Sequence, residues 1–258
     1  MSFKKGAAAV ALTCLAWTLA SAAPAPIPSK IAVLSLVGDS IEIDEYVGQT
    51  GTTSKEGILR QSVPVATPQL DLAALLSAQE ALKKLNPLAE VATLAPPTAG
   101  SSADPAKLVV DGKVDAANPV IASLKKAGYG HLIVISKLRA PAQMKLIGAS
   151  VGHGHITGLG FYIDQRHKVR KVSTGETSPG YMAAFAYLKL SLVDLETLAV
   201  SADQDIMREA KETDAGGETG LNVWEALTPE RKTQMLRDAV TTGVARGIPP
   251  LMSAGAKR

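Results

Sequence analysis

The sequence predicts an α+β protein, in which helices pack against a mixed β-sheet. Three apolar runs rich in leucine and β-branched residues have the length of strands, at residues 31–37, 131–136 and 183–193. Two segments with helical spacing of apolar residues lie between the first two runs, and a third follows the last run. Strands and helices in this order are typical of a layered fold around one core. We therefore expect a single domain over residues 30–258.

The first apolar run opens a segment, Ile31 to Ile43, that we predict to be one long strand. Its apolar residues are continuous up to Val37, which is typical of a strand covered on both faces. From Ser40 onward they alternate with acidic residues, which predicts a strand with one solvent-exposed face. Gly38 lies where the pattern changes and marks a bulge or a close backbone approach. Ile58 to Val65 is expected to return as an antiparallel partner.

A capping residue followed by proline marks the start of each predicted helix. The three pairs are Thr67-Pro68, Asn118-Pro119 and Thr228-Pro229. The third helix is expected to stop at Gly247 to Pro250, because proline cannot continue a helix without loss of a hydrogen bond. We expect the first helix to bury one apolar face, made of Leu72, Leu75, Leu76, Ala78, Leu82 and Leu85.

Residues 139–178 are rich in glycine and contain three of the four histidines of the chain. We predict a Gly/His-rich β-hairpin excursion from the sheet over this stretch. Five aromatic residues are concentrated here and in the following strand. They either pack in the core or form an exposed patch for a partner, and they are Phe161, Tyr162, Tyr181, Phe185 and Tyr187.

The amino terminus has the pattern of a signal peptide over residues 1–22. Two lysines precede an apolar run, and Ala20-Ser-Ala22 is a small-x-small motif that predicts cleavage between Ala22 and Ala23. A proline-rich lead-in follows over residues 23–29. The apolar run is shorter than a membrane-spanning helix, so we expect no stable membrane anchor after cleavage. The expected location is the periplasm of a Gram-negative cell.

Cleavage would remove Cys14, the sole cysteine of the chain. The mature protein therefore cannot form an internal disulfide and must rely on its apolar core. Its charge is close to neutral once the signal lysines are removed, so we expect no nucleic acid as partner. The glycines between residues 152 and 160 lack the spacing of a dinucleotide-binding loop, and we expect no cofactor.

Gly38-Asp-Ser-Ile41 resembles block I of the GDSL/SGNH hydrolases. In that family the serine hydroxyl attacks an ester once a histidine takes its proton. Asp164-Gln-Arg-His167 matches the spacing of the family's Asp-x-x-His pair, and Gly220-Leu-Asn222 offers an oxyanion donor. The resemblance implies, as an alternative function, a secreted serine esterase with Ser40, Asp164 and His167 as catalytic residues.

His153 and His155 form a second candidate site. In a strand, residues at i and i+2 point the same way, as two ligands of one metal ion would. His167 or Asp164 could add a third ligand. The other interpretation is a glycine-rich loop with incidental histidines, since no cysteine or glutamate completes a metal motif.

The order of elements resembles the domain shared by CsgG-like curli-secretion proteins and the amino-terminal domain of TolB. The resembling segments are Ile31 to Leu36, Leu70 to Leu85, Leu124 to Ile135 and Leu190 to Thr197. Leu198 stands where those proteins often place a glycine after the last segment. The resemblance implies a non-catalytic binding or assembly role in the cell envelope, which is the function we expect first. Its partner would be another envelope protein or a second copy of the chain.

Overall fold

The structure is a computed structural model. It describes residues 28–48, 57–65, 67–94, 108–146, 149–170, 175, 177–178, 180–212, 224–225 and 227–256. The predicted signal peptide, its cleavage site between Ala22 and Ala23, and the candidate oxyanion residues Gly220 and Asn222 lie outside the described residues.

Three helices and fifteen strands lie in the described parts of the chain. The helices are α1 (Gln69–Leu85), α2 (Pro119–Lys126) and α3 (Pro229–Gly255). The strands are β1 (Lys30–Ser35), β2 (Ser40–Tyr46), β3 (Ile58–Pro64), β4 (Glu90–Leu94), β5 (Val109–Val110), β6 (Lys113–Val114), β7 (His131–Lys137), β8 (Arg139–Pro141), β9 (Met144–Leu146), β10 (Ala149–Val151), β11 (His155–Asp164), β12 (Val169–Arg170), β13 (Thr177–Ser178), β14 (Tyr181–Asp194) and β15 (Ala199–Glu212). None of these three helices combines the length and the apolar character that crossing a membrane requires.

The main sheet is built around β14, which pairs antiparallel with β15 along one edge. The other edge is shared: β11 pairs with the first half of β14 and β7 with the second half, both antiparallel. Beyond β11 lie the parallel β2 and then the antiparallel β3, a group that we call the first wing. Beyond β7 lie β1 and β4, both parallel to their neighbours, which form the second wing. The mixed sheet with helices confirms the predicted α+β class.

Side-chain alternation along β14 divides the core into layers. The even-numbered residues from Met182 to Leu192 face α1 and α3 in the largest apolar cluster. Odd-numbered residues near the start of β14 face the opposite side, together with Met144 and Ile156. A smaller cluster around α2 includes Val193 at the far end of the strand. The five aromatic residues singled out in the sequence are all buried, so they pack in the core and do not form an exposed patch: Phe161, Tyr162, Tyr181, Phe185 and Tyr187.

The single strand predicted from Ile31 to Ile43 is wrong, because a turn separates β1 from β2. Asp71, in the first turn of α1, holds this turn in place. Its buried carboxylate accepts hydrogen bonds from the Ser35 hydroxyl (2.6 Å) and from the backbone N–H groups of Val37 (3.0 Å) and Gly38 (3.1 Å). Those two N–H groups are therefore not available to a continuous strand ladder. β1 and β2 consequently belong to different wings of the sheet.

The antiparallel partner predicted for β2 is confirmed by β3. The face predicted for α1 is partly wrong, since Leu72 and Leu76 are each more than half exposed. The buried face instead consists of Leu70, Asp71, Ala74, Leu75, Ser77, Ala78, Ala81 and Leu82. Asp71 can face the sheet in place of a leucine because its carboxylate receives three hydrogen bonds there.

Two of the three predicted helix caps are confirmed. The side chains of Asn118 and Thr228 accept hydrogen bonds from backbone N–H groups in the first turns of α2 and α3. In α1 the N-cap position is Pro68, and no side chain caps the helix. The cap predicted at Thr67 is therefore wrong.

The end predicted for α3 is also wrong, because this helix continues through Pro249 and Pro250 to Gly255. The two prolines cannot donate to the carbonyl groups of Ala245 and Arg246. Both of these residues are exposed, so water can bond to their carbonyl oxygens. Burial of the apolar face beyond the prolines, at Ile248, Leu251 and Met252, stabilises the continued helix.

The turn between β14 and β15 is organised by Asp194. Its carboxylate accepts hydrogen bonds from the backbone N–H groups of Glu196 (2.8 Å) and Thr197 (3.0 Å). The bond from Thr197 is the main reason that the pKa of Asp194 is lowered. Leu198 follows with φ of 60°, a left-handed conformation that favours glycine.

The predicted excursion over residues 139–178 contains the antiparallel pairs β9–β10 and β12–β13. Its longest strand, β11, lies within the main sheet between β2 and β14. The Gly/His-rich stretch therefore reaches the core as well as the surface.

Gly38 is required where the carboxylate of Asp71 approaches the backbone. A Cβ at this position would overlap with Oδ2 of Asp71, whose carboxylate is held in place by three hydrogen bonds. We expect Gly38→Ala to lower the free energy of unfolding by about 2 kcal/mol, in the range of substitutions that break a buried hydrogen-bond network. Gly130→Ala is the matched control, because a Cβ at Gly130 meets no atom within 4 Å. Equal urea midpoints for the two variants would contradict the assigned role of Gly38.

Candidate metal centre

The register of the first wing brings polar and aromatic side chains to one end of β11. Tyr46 of β2 pairs with Asp164 of β11, and Asp164 pairs with Tyr181 of β14. Paired residues on neighbouring strands point to the same face of a sheet. These three side chains therefore form one row across three strands.

Asp164 is the last residue of β11, and its side chain is fully buried. Its Oδ1 atom accepts hydrogen bonds from the backbone N–H groups of Arg166 (2.9 Å) and His167 (3.1 Å). Its Oδ2 atom lies 2.7 Å from Nδ1 of the His167 ring. An aspartate that bonds to backbone groups two and three residues further on folds the chain into a local turn. This turn, together with the Oδ2 contact, fixes the ring of His167.

His153 approaches the same place from the loop before β11. Its ring stacks on Tyr46, with centroids 4.0 Å apart and planes at 12°. The centroid of His167 lies 5.4 Å from that of His153 and 5.9 Å from that of Tyr46. Potential ligand atoms of His153, Asp164 and His167 all lie within 4.8 Å of one another. We refer to these three residues as the His–Asp cluster; its two histidines are exposed and its aspartate is buried.

The neighbouring row of paired residues across β2 and β11 is also polar. Asp44 pairs with Tyr162, whose hydroxyl accepts a hydrogen bond from the backbone N–H of His153 (3.0 Å). That bond anchors the backbone of His153 to the sheet. Burial raises the pKa of Tyr162 further above neutral pH.

Asp44 is a fully buried carboxylate with one strong partner. Its Oδ1 atom accepts a hydrogen bond from Arg60 Nε at 2.8 Å. Burial nevertheless raises the pKa of Asp44, with Arg60 opposing the shift and the nearby Glu42 adding to it. Among the described residues, Asp44 Oδ2 and the Tyr181 hydroxyl have no hydrogen-bond partner. The face of the sheet beneath the cluster thus contains buried polar atoms that lack a hydrogen-bond partner among the described residues.

The structure groups His153 with Asp164 and His167, and His155 is not in the cluster. The predicted i, i+2 pair fails because β11 begins only at His155. Gly152 and Gly154, on either side of His153, have φ values of 135° and 65°, so the backbone is not an extended strand there. The backbone carbonyl of His155 accepts a hydrogen bond from an Arg60 guanidinium nitrogen (2.6 Å), beside the buried Asp44.

The structure does not bring Ser40 to His167. Ser40 begins β2, whereas Tyr46, which contacts the ring of His167, ends it. Six residues of strand separate the two positions by roughly 20 Å. A serine nucleophile and its histidine base need a separation of about 3 Å. Ser40, Asp164 and His167 therefore do not form the predicted esterase triad.

Ser40 has a structural partner instead. Lys137 Nζ donates hydrogen bonds to the hydroxyl (2.8 Å) and the carbonyl oxygen (3.2 Å) of Ser40, and it forms an ion pair with Asp39 (2.6 Å). A protonated amine that donates to the hydroxyl cannot take a proton from it. This arrangement joins the start of β2 to the end of β7, where the two wings meet.

The donor atoms of the His–Asp cluster suit a transition metal ion. Imidazole nitrogens bind zinc, copper and nickel, and a carboxylate either adds a ligand or orients a histidine ring. The donor atoms lie within 4.8 Å of one another and would have to move closer together to share one ion.

Comparisons with known proteins do not assign the chain to a family. No protein-family model matches it, and neither does any curated protein. Solved structures that match include the PelC dodecamer from Paraburkholderia phytofirmans and a single-residue variant of that dodecamer. For each of them the identity is 11%, the TM-score is 0.33, and the match covers 89% of this chain and 94% of the other. This degree of likeness carries no argument about the function of this chain.

The raised pKa of Asp44 predicts how stability depends on pH. The folded state binds the proton of Asp44 more tightly than the unfolded state does, so protonation of Asp44 favours folding. This contribution is fully present below the ordinary pKa of aspartate and is lost as the pH rises through the raised folded-state value. Relative to Asp44→Asn, which cannot titrate, the wild type should therefore gain unfolding free energy as the pH falls from about 7 towards 4. Urea denaturation of both proteins across this range measures the difference, and a change in the opposite direction would refute the assignment.

Proposed function

We propose that this is an exported cell-envelope protein with a binding role, and that it binds a divalent transition metal ion at the His–Asp cluster. The observation that carries the proposal is the convergence of His153 from the loop before β11, Asp164 from the end of β11 and His167 from the turn after it. Zinc, copper and nickel match this set of nitrogen and oxygen donors.

The surroundings of the cluster support a binding site rather than incidental histidines. Tyr46 stacks on His153, Tyr162 anchors the backbone of His153, and Asp164 orients His167. Both rings thus have defined positions although they are exposed to solvent. Fixed donors lose less conformational freedom when an ion binds, which favours affinity.

Export and a non-catalytic role rest on other observations. The signal-peptide pattern with its Ala22–Ala23 junction supports export to the periplasm. Lys137 holds the hydroxyl of Ser40, which supports a structural role for the candidate nucleophile. As the resemblance to CsgG-like and TolB domains implies, the partner would be another envelope protein or a second copy of the chain.

Metal binding is tested by isothermal titration calorimetry with Zn²⁺, Ni²⁺ and Cu²⁺. We expect one ion per chain for the wild type, and a loss of affinity of at least 10-fold for His153→Ala and for His167→Ala, because each substitution removes one donor. His155→Ala is the matched control, an exposed histidine two residues from His153 that lies outside the cluster. Wild-type affinity in both cluster variants, or an equal loss in the control, would exclude the cluster as the site.

Export is tested by the mass of the mature protein. When the full chain is expressed in a Gram-negative host, we expect the periplasmic fraction to contain a chain that begins at Ala23. Ala22→Leu should block cleavage, because a large side chain does not fit the small-residue position of the motif. An uncleaved wild-type chain that stays in the cytoplasm would refute the proposed location.

A further inference from the structure

The carboxylate of Asp164 already has three hydrogen-bond donors close to it. Oδ1 accepts two backbone hydrogen bonds, and Oδ2 lies 2.7 Å from His167 Nδ1. The side chain is completely buried, whereas that of His167 is 50% exposed. A metal ion that arrives from solution therefore meets the histidine rings before it can reach this carboxylate.

The distance between Oδ2 and Nδ1 is that of a hydrogen bond, not of two ligands on one ion. Two donors about 2.0 Å from a tetrahedral ion lie about 3.3 Å apart. A carboxylate that accepts from one ring nitrogen of a histidine leaves the other nitrogen, Nε2, unprotonated and ready to bind metal. The same contact makes Nε2 a stronger electron-pair donor to the metal ion.

We infer that Asp164 is a positioning residue, that Nε2 of His167 and a ring nitrogen of His153 bind the metal, and that the ion keeps open positions for a small carboxylate-bearing ligand from solution. This inference rests on the proposed function, since it specifies how the His–Asp cluster uses its metal. Two protein ligands leave at least two positions of a four-coordinate ion open. Structural zinc sites are closed by four protein ligands, whereas sites that exchange ligands keep an open position.

The positive charge of a bound divalent ion favours an anionic ligand. Two neutral imidazoles and one carboxylate leave a divalent ion with a net charge of about +1. Arg166 adds a positive charge next to His167 in the turn, where its guanidinium group donates to the carbonyl oxygen of Val47. A carboxylate oxygen is a good ligand for these metals and matches the positive charge.

Cu²⁺ electron paramagnetic resonance with oxalate as the probe tests this arrangement. In the wild type loaded with one Cu²⁺ per chain, we expect hyperfine structure from two nitrogen donors. Addition of oxalate should give a new spectrum that keeps both nitrogen donors, since oxalate replaces water on the ion. A spectrum that oxalate leaves unchanged, or conversion to free copper oxalate alone, would overturn the open-site inference. Absence of any copper signal from the protein would instead refute the proposed metal binding itself.

The role of Asp164 is tested separately with Zn²⁺ and ¹⁵N-labelled histidine. Two-bond ¹H–¹⁵N spectra of the wild type should show Nδ1–H retained and Nε2 bound to zinc in His167. Asp164→Asn should shift His167 to the opposite tautomer, because the amide donates to Nδ1, and should weaken zinc binding 10- to 100-fold. His155→Ala should leave both the tautomer of His167 and the zinc affinity unchanged. Zinc on Nδ1 of His167, or an unchanged tautomer in a folded Asp164→Asn, would overturn the positioning role.

Discussion

The backbone of β14 has to satisfy its hydrogen bonds entirely within the protein, since the strand is buried on both faces for almost all of its fourteen residues. Buried N–H and C=O groups are costly when they lack partners. β15 satisfies one edge, but the other edge is divided between β11 and β7. This division produces the two wings of the sheet. It also sets the position of Asp164, because β11 ends where it pairs with the first residue of β14.

Three aspartates in the described residues are buried, and the fold stabilises the carboxylate of each one in a different way. Asp71 receives three hydrogen bonds and joins α1 to the turn after β1. Asp44 pairs with Arg60 but keeps one oxygen without a partner among the described residues, and its pKa is raised. Asp164 receives two backbone bonds and contacts a histidine that remains open to solvent. The third arrangement directs the buried charge toward a histidine ring that an external metal ion can reach.

The sequence was sufficient to predict those features that depend on neighbours along the chain. The apolar strands, the caps at Asn118 and Thr228 and the Asp164-x-x-His167 pair all have local signals. Features that depend on distant partners could not be predicted in this way. Asp71 faces inward because its donors lie on the β1–β2 turn, and Tyr46 joins the histidines because β2 is parallel to β11. The pairing of His153 with His155 is wrong because the positive φ of Gly152 and Gly154 removes His153 from the strand that its spacing suggests, whereas Asp164 and His167, the further ligands considered from the sequence, do lie beside it.

The parallel pairing of β2 with β11 has a consequence for folding. It joins segments more than a hundred residues apart, with Glu42 opposite Gly160, and the connection includes α1, α2 and β7. Contacts of such long sequence separation lose much loop entropy on closure and form slowly. Tyr46 and His153 can stack only after this pairing is complete, so the cluster assembles late, after the local helices and hairpins. Without an internal disulfide to retain partly folded states, the chain depends on this late closure of the first wing to reach its native form.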